Sequence, residues 1–229
     1  MRLDTLLRTV TGRKPLALSN VTLIGIDTRP DRLREPLAHC TRDIEFGAVR
    51  IIDDAPIASM KDYSRWICKE IYKHVPTSHM LIFQWDGYVK NWKAWDDDWL
   101  RYDYIGAPWP DTDGMNVGNG GFSLRSRRLM EIVATDAHIV RYHPEDQRIC
   151  RDYRPYLEER HQIRFAPLEV ARAFSIEGYG QPNRTHTTEF GFHGRRVKFG
   201  VPKRRKRRSL RAVLGSLWRA VRARLQGED

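Results

Sequence analysis

The feature that most constrains the fold of this chain is an alternation of apolar segments with amphipathic segments over residues 20–83. Apolar, β-branched runs alternate with helical patterns in the order 20–27, 29–44, 46–53, 59–75 and 79–83. An alternation of this kind predicts parallel strands whose faces are covered by helices. We therefore predict an α/β fold, a Rossmann-type sandwich with a mostly parallel central sheet.

Acids follow all three predicted strands, at Asp27, Asp53 and Asp86. In sheets of parallel strands, ligands bind beyond the carboxyl ends of the strands. Asp86 follows the run MLIF, and Gly87 after it lets a ligand approach closely. A carboxylate on a rigid element can hold a divalent cation beside a diphosphate. The alternative is a strand-end acid that caps a turn, and these residues alone do not decide between the two.

A second acidic stretch, WDDDW at residues 95–99, carries three acids. Trp92, Trp95 and Trp99 are spaced as in the packing stripe of a helix. Successive helical residues point about 100° apart, so three neighbouring acids do not converge on one metal. We interpret the run as an exposed acidic turn on an amphipathic helix, with a metal site as the alternative.

A glycine-rich motif, VGNGGFSLRS, precedes a strand-like segment at residues 117–126. A dinucleotide-binding loop follows a strand and opens a helix, which is the reverse of this order. We predict that Asn119, Gly120 and Gly121 bring backbone amides close to a flat, hydroxylated ligand. An ordinary turn is the alternative.

Two further motifs carry titratable groups. HPEDQR places Glu145 and Asp146 in the first turn of a predicted helix, where one acid can serve as a general base and the other as an anchor. The alternative is that both acids are ordinary first-turn residues that only interact favourably with the helix dipole. FGFHG places His193 between glycines and aromatic residues, as a ligand or as a hydrogen-bonded structural residue.

In this order, the motifs FQWDG, GNGGFSLRS, PEDQ and FGFHG resemble those of GT-A glycosyltransferases, especially the fringe and β-1,3-galactosyltransferase-like group. The chain is most similar to a bacterial and fungal domain family of unassigned function that has the phrases DYIGAPW and GNGGFSLR. The resemblance covers residues 20–194, most specifically residues 79–148. It implies a GT-A-like fold, a nucleotide-sugar donor with UDP-sugars favoured, and a divalent metal, Mn²⁺ or Mg²⁺.

The resemblance also implies roles for single residues. Asp86 matches the last acid of the metal-binding Asp-x-Asp motif, and His193 matches a late metal-ligating histidine. Glu145 and Asp146 match the acidic pair from which inverting members draw their catalytic base. Substrate-binding residues are implied for the donor at Thr28, Arg29, Asp53, Gln84, Trp85 and Asp86, and for the acceptor or sugar at Trp109, Asn119, Gly120 and Gly121. For Trp85 and Trp109, packing in the core is the alternative.

Gln84 departs from the family motif, because it stands where Asp-x-Asp has its first acid. With one acid fewer, we expect weaker metal binding, or metal bound only together with the diphosphate. A neutral glutamine can still contact ribose or a hydrated ion. The alternative function is therefore a non-catalytic glycan- or nucleotide-binding module on a degenerate transferase fold.

The excess positive charge is confined to the C-terminal segment. Residues 195–224 hold 13 of the 40 Lys and Arg residues and no acid, which leaves 27 basic and 27 acidic residues in residues 1–194. After the run PKRRKRRS, apolar residues recur at helical spacing from Leu210 to Leu225. We predict a basic amphipathic helix that binds an anionic membrane surface through residues 203–226. Packing on the chain's own domain or on a partner is one alternative. Nucleic-acid binding is another, disfavoured by the neutral remainder.

These observations predict an N-terminal amphipathic segment at 1–19, a GT-A-like domain at 20–194 and a membrane-associating tail at 195–229. The three cysteines are too few and too far apart for a disulfide framework, and no apolar run is long enough to cross a membrane. We expect a cytoplasmic protein, peripheral on the inner face of the cytoplasmic membrane. It would extend a glycan or lipid-linked acceptor in cell-envelope polysaccharide synthesis.

Overall fold

A five-stranded sheet forms the centre of the computed structural model, which describes residues 14–111, 113–178 and 188–194. The strand order is β2-β1-β3-β6-β5. The strands are β1 (Leu16–Ile26), β2 (Ile44–Ile52), β3 (His79–Phe83), β5 (Tyr104–Gly106) and β6 (Ser123–Ser126). β1 pairs in parallel with both β2 and β3, whereas β6 runs antiparallel to β3 and to β5.

The helices follow the predicted amphipathic segments closely in the first part of the chain. They are α1 (Arg34–Thr41), α2 (Met60–Lys69), α3 (Arg127–Thr135), α4 (Glu145–Gln147), α5 (Arg154–His161) and α6 (Leu168–Phe174). A 3₁₀ turn over Pro30–Leu33 leads into α1, and another over Ile71–His74 follows α2. A π-helical turn, Arg148–Asp152, continues from α4. At α2, the Ser59 side chain accepts a hydrogen bond from the Asp62 N–H, which satisfies one free donor of the first turn.

The core lies on both faces of the sheet because side chains of a strand alternate between faces. On one face Ile24 and Ile82 pack with Ile67 of α2 and Leu129 of α3. On the other face Leu23, Leu81 and Phe83 pack with aromatic residues of the later chain, namely Trp99, Phe122, Phe174 and Phe190. β3 is buried along its whole length, so whatever follows it is held by a rigid element.

A small second sheet adjoins the end of β3. Its strands β4 (Gly87–Val89), β7 (Ser175–Glu177) and β8 (Gly191–His193) lie in the order β4-β8-β7. β8 is antiparallel to β4 and parallel to β7. This sheet brings residues near positions 86, 177 and 193 together, although they are far apart in sequence.

The alternating strands and helices over residues 20–83 are confirmed, but the prediction of a mostly parallel sheet is wrong. The central sheet is mixed, since β5 and β6 are joined by a loop without the helical crossover that parallel neighbours need. The boundary of the N-terminal segment also differs. β1 starts at Leu16, because Leu16, Ala17 and Leu18 pair with Ile44, Glu45 and Phe46.

The acidic stretch at residues 95–99 forms no long helix. Asp96 caps a short 3₁₀ helix, Asp97–Arg101, and the three acids are exposed as predicted. Trp99 is buried against Phe174 and Phe190. Residues 1–13 and the predicted basic helix of the tail lie outside the described residues. Among the described helices, none is both long and apolar enough to cross a membrane.

Candidate functional site

Asp86 lies in a two-residue turn that joins β3 to β4. Gln84 and Gly87 exchange two backbone hydrogen bonds of 3.1 Å across this turn. The Asp86 side chain is only 11% exposed, and its Oδ1 atom is buried without a hydrogen-bond partner among the described residues. A buried carboxylate oxygen without a partner is costly, so this atom marks a place for a cation or a donor group.

His193 of β8 lies close to this oxygen. Its Nε2 lies 3.7 Å from Asp86 Oδ1 and 3.3 Å from Gln84 Oε1, and its Nδ1 lies 2.9 Å from Glu177 Oε2. Asn119 Nδ2 donates a hydrogen bond to the same Glu177 oxygen. Burial lowers the pKa of His193, but the hydrogen bond and charge of Glu177, with a further contribution from Asp86, outweigh burial and raise it.

Gln84, Asp86 and His193 are the groups of this centre that could serve as ligands of a divalent cation. Gln84 Oε1 and Asp86 Oδ1 both lie within 3.7 Å of His193 Nε2. Oxygen atoms and an imidazole suit Mg²⁺ or Mn²⁺. A metal-binding histidine commonly donates its other ring N–H to a carboxylate, as Nδ1 can do here to Glu177. Within the described residues, no cluster of three or more His, Cys, Asp or Glu side chains could hold a metal, so the amide oxygen of Gln84 would have to serve as the third ligand.

The glycine-rich loop before β6 packs directly against this centre. A Cβ atom at Gly121 would lie 1.9 Å from His193 Nε2, and one at Gly120 would lie 3.1 Å from the Asp146 Cβ. The Gly120 N–H donates to Asp146 Oδ2 over 3.2 Å, and the Gly121 N–H donates to Asn119 Oδ1 over 3.0 Å. Only residues without a side chain allow this approach, which joins His193 to the acidic pair. The predicted contact of these amides with a ligand stays a prediction, and in this structure the Gly120 and Gly121 N–H groups donate to protein side chains instead.

Glu145 is the anchored member of the acidic pair. It is buried and accepts a hydrogen bond from Arg125, whose side chain is fully buried, over 3.3 Å. The Ser64 hydroxyl of α2 donates to its other oxygen, also over 3.3 Å. Arg125 in addition donates to the Gly120 carbonyl. Glu145 therefore ties β6, α2 and the glycine-rich loop together.

Among the described residues, no basic side chain forms an ion pair with Asp146. Its oxygens accept hydrogen bonds from the backbone N–H groups of Gly120 and Gln147. Burial, with a smaller contribution from the Glu145 charge, raises the pKa of Asp146 to about 6. A carboxylate with a pKa near neutrality is suited to accept a proton from a bound hydroxyl.

The residues predicted to bind the donor are more dispersed. Thr28 and Arg29 lie exposed after β1, and Asp53 lies exposed after β2. Asp27 is occupied within its own loop, since it accepts from the Arg29 N–H and forms an ion pair of 3.1 Å with Arg32. Across the residues that the structure describes, no hydrogen bond or ion pair joins Thr28, Arg29 or Asp53 to the centre around Asp86.

Trp85 and Trp109 border two separate cavities. Trp85 is 41% exposed, lies under the Arg32 guanidinium at 4.4 Å, and faces a cavity of about 620 Å³ that reaches Asp86. Trp109 is half-buried and lines a groove of about 940 Å³ that extends along β7 to Glu177. Each ring borders a cavity, so neither side chain is enclosed in the hydrophobic core.

The structure therefore unites Gln84, Asp86, Asn119, Gly120, Gly121, Glu145, Asp146 and His193 around the glycine-rich loop. Two members of this site were missed from the sequence, Glu177 and Arg125. Glu177 ends the apolar run FSI in FSIEG, which is the signal used for Asp86. Arg125 is a charge within the strand-like FSLRS, a position that requires a buried partner.

Comparisons with known proteins give a family for this chain. Residues 47–193 match a family described as proteins of unknown function, DUF5672. No curated protein matches the chain. Among solved structures, a glycosyltransferase involved in the glycosylation of the major capsid of PBCV-1 matches 76% of this chain and 91% of its own, with 13% identity and a TM-score of 0.48. Because the family match spans most of the described residues, the chain belongs to the DUF5672 family.

Proposed function

We propose that this protein is a glycosyltransferase that moves a sugar from a nucleoside-diphosphate sugar to a hydroxyl of a glycan or lipid-linked acceptor. One observation carries the proposal. The buried Asp86 oxygen, which has no hydrogen-bond partner among the described residues, lies beside His193, and the same glycine-rich loop brings Asp146 to this centre. The ordered motifs of the sequence, which resemble those of GT-A glycosyltransferases, support it.

Asp86 and His193, with the amide oxygen of Gln84, would hold Mn²⁺ or Mg²⁺. Bound there, the cation would neutralise charge on the leaving diphosphate. Glu177 holds His193 through Nδ1 and leaves Nε2 directed at Asp86 and Gln84. With only one carboxylate in the set, we expect tight metal binding only when the diphosphate oxygens complete the coordination.

Asp146 is assigned the role of general base, and Glu145 that of its anchor. In an inverting transfer the acceptor hydroxyl gives its proton to Asp146, and its oxygen attacks the anomeric carbon. The bond from that carbon to the diphosphate oxygen breaks, and its electron pair stays on the diphosphate. The raised pKa of Asp146 suits this proton transfer near neutral pH, while the ion pair with Arg125 holds the Glu145 side chain in place.

The donor is assigned to the Trp85 side of Asp86 and the acceptor to the Trp109 side. Trp85 and Arg32 offer a flat surface for a base or sugar beside Asp86. Thr28, Arg29 and Asp53 would contact the nucleotide from the ends of β1 and β2. Trp109, Asn119, Gly120 and Gly121 would contact the sugar or acceptor.

The basic tail is assigned to an anionic membrane surface, where a lipid-linked acceptor would be found. This part of the proposal rests on the sequence of residues 203–226 alone. It places the protein peripherally on the inner face of the cytoplasmic membrane, in cell-envelope polysaccharide synthesis.

A non-catalytic module that binds glycans or nucleotides is the second candidate. The observation in its favour is Gln84, whose amide nitrogen donates to the Tyr63 hydroxyl over 2.9 Å and so holds a neutral group where the family motif has an acid. Such a module would bind its ligand without turnover, and Asp146→Asn would leave its function intact.

A screen of nucleotide-sugar hydrolysis with Mn²⁺ separates the two candidates, run beside thermal shift with UDP and Mn²⁺. The glycosyltransferase proposal predicts hydrolysis of at least one donor, lost in Asp86→Ala and in Asp146→Asn. Binding without hydrolysis of any donor would favour the module. The absence of stabilisation by any nucleoside diphosphate with metal would refute both the enzyme and the nucleotide-binding form of the module.

A further inference from the structure

The groove beside Trp109 has features of a ligand-binding site, and the roles proposed above do not account for them. It lies between the loop at residues 108–117 and the segment formed by α6 and β7. Its volume of about 940 Å³ lies in the range of ligand sites rather than of packing defects. Glu177 lines it and is hydrogen-bonded to His193, so the groove adjoins the centre around Asp86 and His193.

Two residues of β7 that line this groove, Ser175 and Glu177, each carry a buried polar atom without a hydrogen-bond partner among the described residues. These atoms are Ser175 Oγ and Glu177 Oε1. Residues 175 and 177 lie on the same side of the strand, since side chains alternate along it. Buried polar groups are usually hydrogen-bonded, and a bound hydroxyl can donate to either of these oxygens.

The other walls of the groove contain a tryptophan and three prolines, whose rings are stiff. Trp109 lies at one side with Pro108 and Pro110, and Pro167 lies at the start of α6. The Trp109 ring is fixed from behind, because a Cβ atom at Gly118 would lie 2.5 Å from it. A fixed indole face beside a row of hydrogen-bond acceptors suits a ring with an apolar face and hydroxyls at its edge.

The charges of the groove do not favour a charged ligand. Arg154 is paired with Glu158 at 2.8 Å, and Asp111 with Arg151 at 3.4 Å. The other charged residues that line the groove are the exposed Arg172 and the acids Glu177 and Glu189, so acids slightly outnumber basic residues and an acidic ligand is disfavoured.

From these contacts we infer that the groove binds a neutral oligosaccharide, with a sugar ring on Trp109 and hydroxyls donating to Ser175 Oγ and Glu177 Oε1. The inference rests on the proposed function in one respect, since it identifies the acceptor class of that transferase as a neutral glycan chain. Ser175 and Glu177 thereby become acceptor-binding residues, and the second oxygen of Glu177 connects the acceptor to His193.

The test is retention of the labelled full chain on an array of immobilised neutral and acidic oligosaccharides, without nucleotide or added metal. We expect the wild type to bind neutral members. Trp109→Ala should weaken binding about tenfold or more, as for a buried aromatic anchor, and Ser175→Ala about fivefold, as for one hydrogen bond. Trp92→Ala, which removes a tryptophan outside the groove, should bind as the wild type does.

Thermal unfolding of each variant separates loss of binding from loss of fold. The Ser175 hydroxyl has no described hydrogen bond in the free protein, so Ser175→Ala should not lower the Tm, and Trp109→Phe provides a milder change at the other wall. The inference is overturned if the wild type retains no neutral oligosaccharide, or if Ser175→Ala and both Trp109 variants bind undiminished. Retention of oligosaccharides despite a failed nucleotide screen would refute the transferase and leave the groove assigned.

Discussion

Two acidic stretches, residues 84–86 and residues 95–98, lie close together in the sequence. They differ in the number of their acids, in how far these acids are exposed, and in their hydrogen bonds. The second has three acids, all exposed. Asp96 accepts from the Asp98 N–H, Asp97 accepts from the Trp95 indole, and the Asp98 side chain is 75% exposed. The first has one acid, Asp86, only 11% exposed, with a buried oxygen that has no hydrogen-bond partner among the described residues.

The difference shows that the setting of a carboxylate outweighs the number of carboxylates. Water already solvates the exposed acids, so they gain little from a cation. Asp86 follows the buried strand β3 and is largely shielded from water. A cation bound beside its carboxylate would therefore stabilise it more than it would stabilise an exposed acid. The predictions below test this contrast, from the largest expected effect to the smallest.

Asp86→Ala should reduce donor hydrolysis or transfer by about a thousandfold, because a metal-held diphosphate accounts for several kcal/mol of barrier lowering. Steady-state kinetics with Mn²⁺ measures this. Asp98→Ala is the matched control and should leave the rate and the Tm unchanged. Equal losses in both variants would contradict the contrast between the two stretches.

Asp146→Asn should lower the transfer rate at least about a hundredfold, since general bases contribute that much or more. The pH dependence gives a second measure of the same role. The base must be ionised, so wild-type activity should fall as the pH drops through about 6, the raised pKa of Asp146. A rate that stays flat from pH 8 to about 5 would contradict the assignment.

Glu145→Gln should lower the free energy of unfolding by about 3 kcal/mol, because it leaves the buried Arg125 without its counter-charge. Urea denaturation measures this. The control is Glu158→Gln, which removes the exposed partner of Arg154 and should cost less, about 1 kcal/mol or below. If the two variants lose the same stability, Glu145 is not the anchor.

Glu177→Gln should weaken Mn²⁺ binding in the presence of UDP about tenfold, because the neutral amide holds the His193 ring less firmly. Electron paramagnetic resonance of free Mn²⁺ gives this affinity independently of turnover. Glu169→Gln, on the exposed side of α6, should bind as the wild type does. An unchanged affinity in Glu177→Gln would remove Glu177 from the site.

The sequence was sufficient for the elements with strong periodicity. β1 to β3 and their helices were predicted because hydrophobic runs and amphipathic segments are long there. Asp86 was singled out by its position after a buried strand. The glycine pair was predicted to bring the backbone close to a ligand; the structure shows instead that Gly121 makes room for the His193 ring.

The other features of the fold and the site depend on contacts between residues far apart in the sequence, which no local pattern predicts. β5, β7 and β8 are three residues long, too short for a period to be visible. Their pairing nevertheless sets Glu177 beside His193 and makes the central sheet mixed. The different roles of Glu145 and Asp146 likewise depend on Arg125, which lies on β6. The pairing of Arg125 with Glu145 could not be identified from the sequence.

The most direct test of the central claim is calorimetric titration of UDP with Mn²⁺ into the wild type, Asp86→Ala and Asp98→Ala. Our account predicts metal-dependent binding by the wild type and by Asp98→Ala, and none by Asp86→Ala. Binding by Asp86→Ala at wild-type affinity, or its loss in Asp98→Ala, would contradict the account.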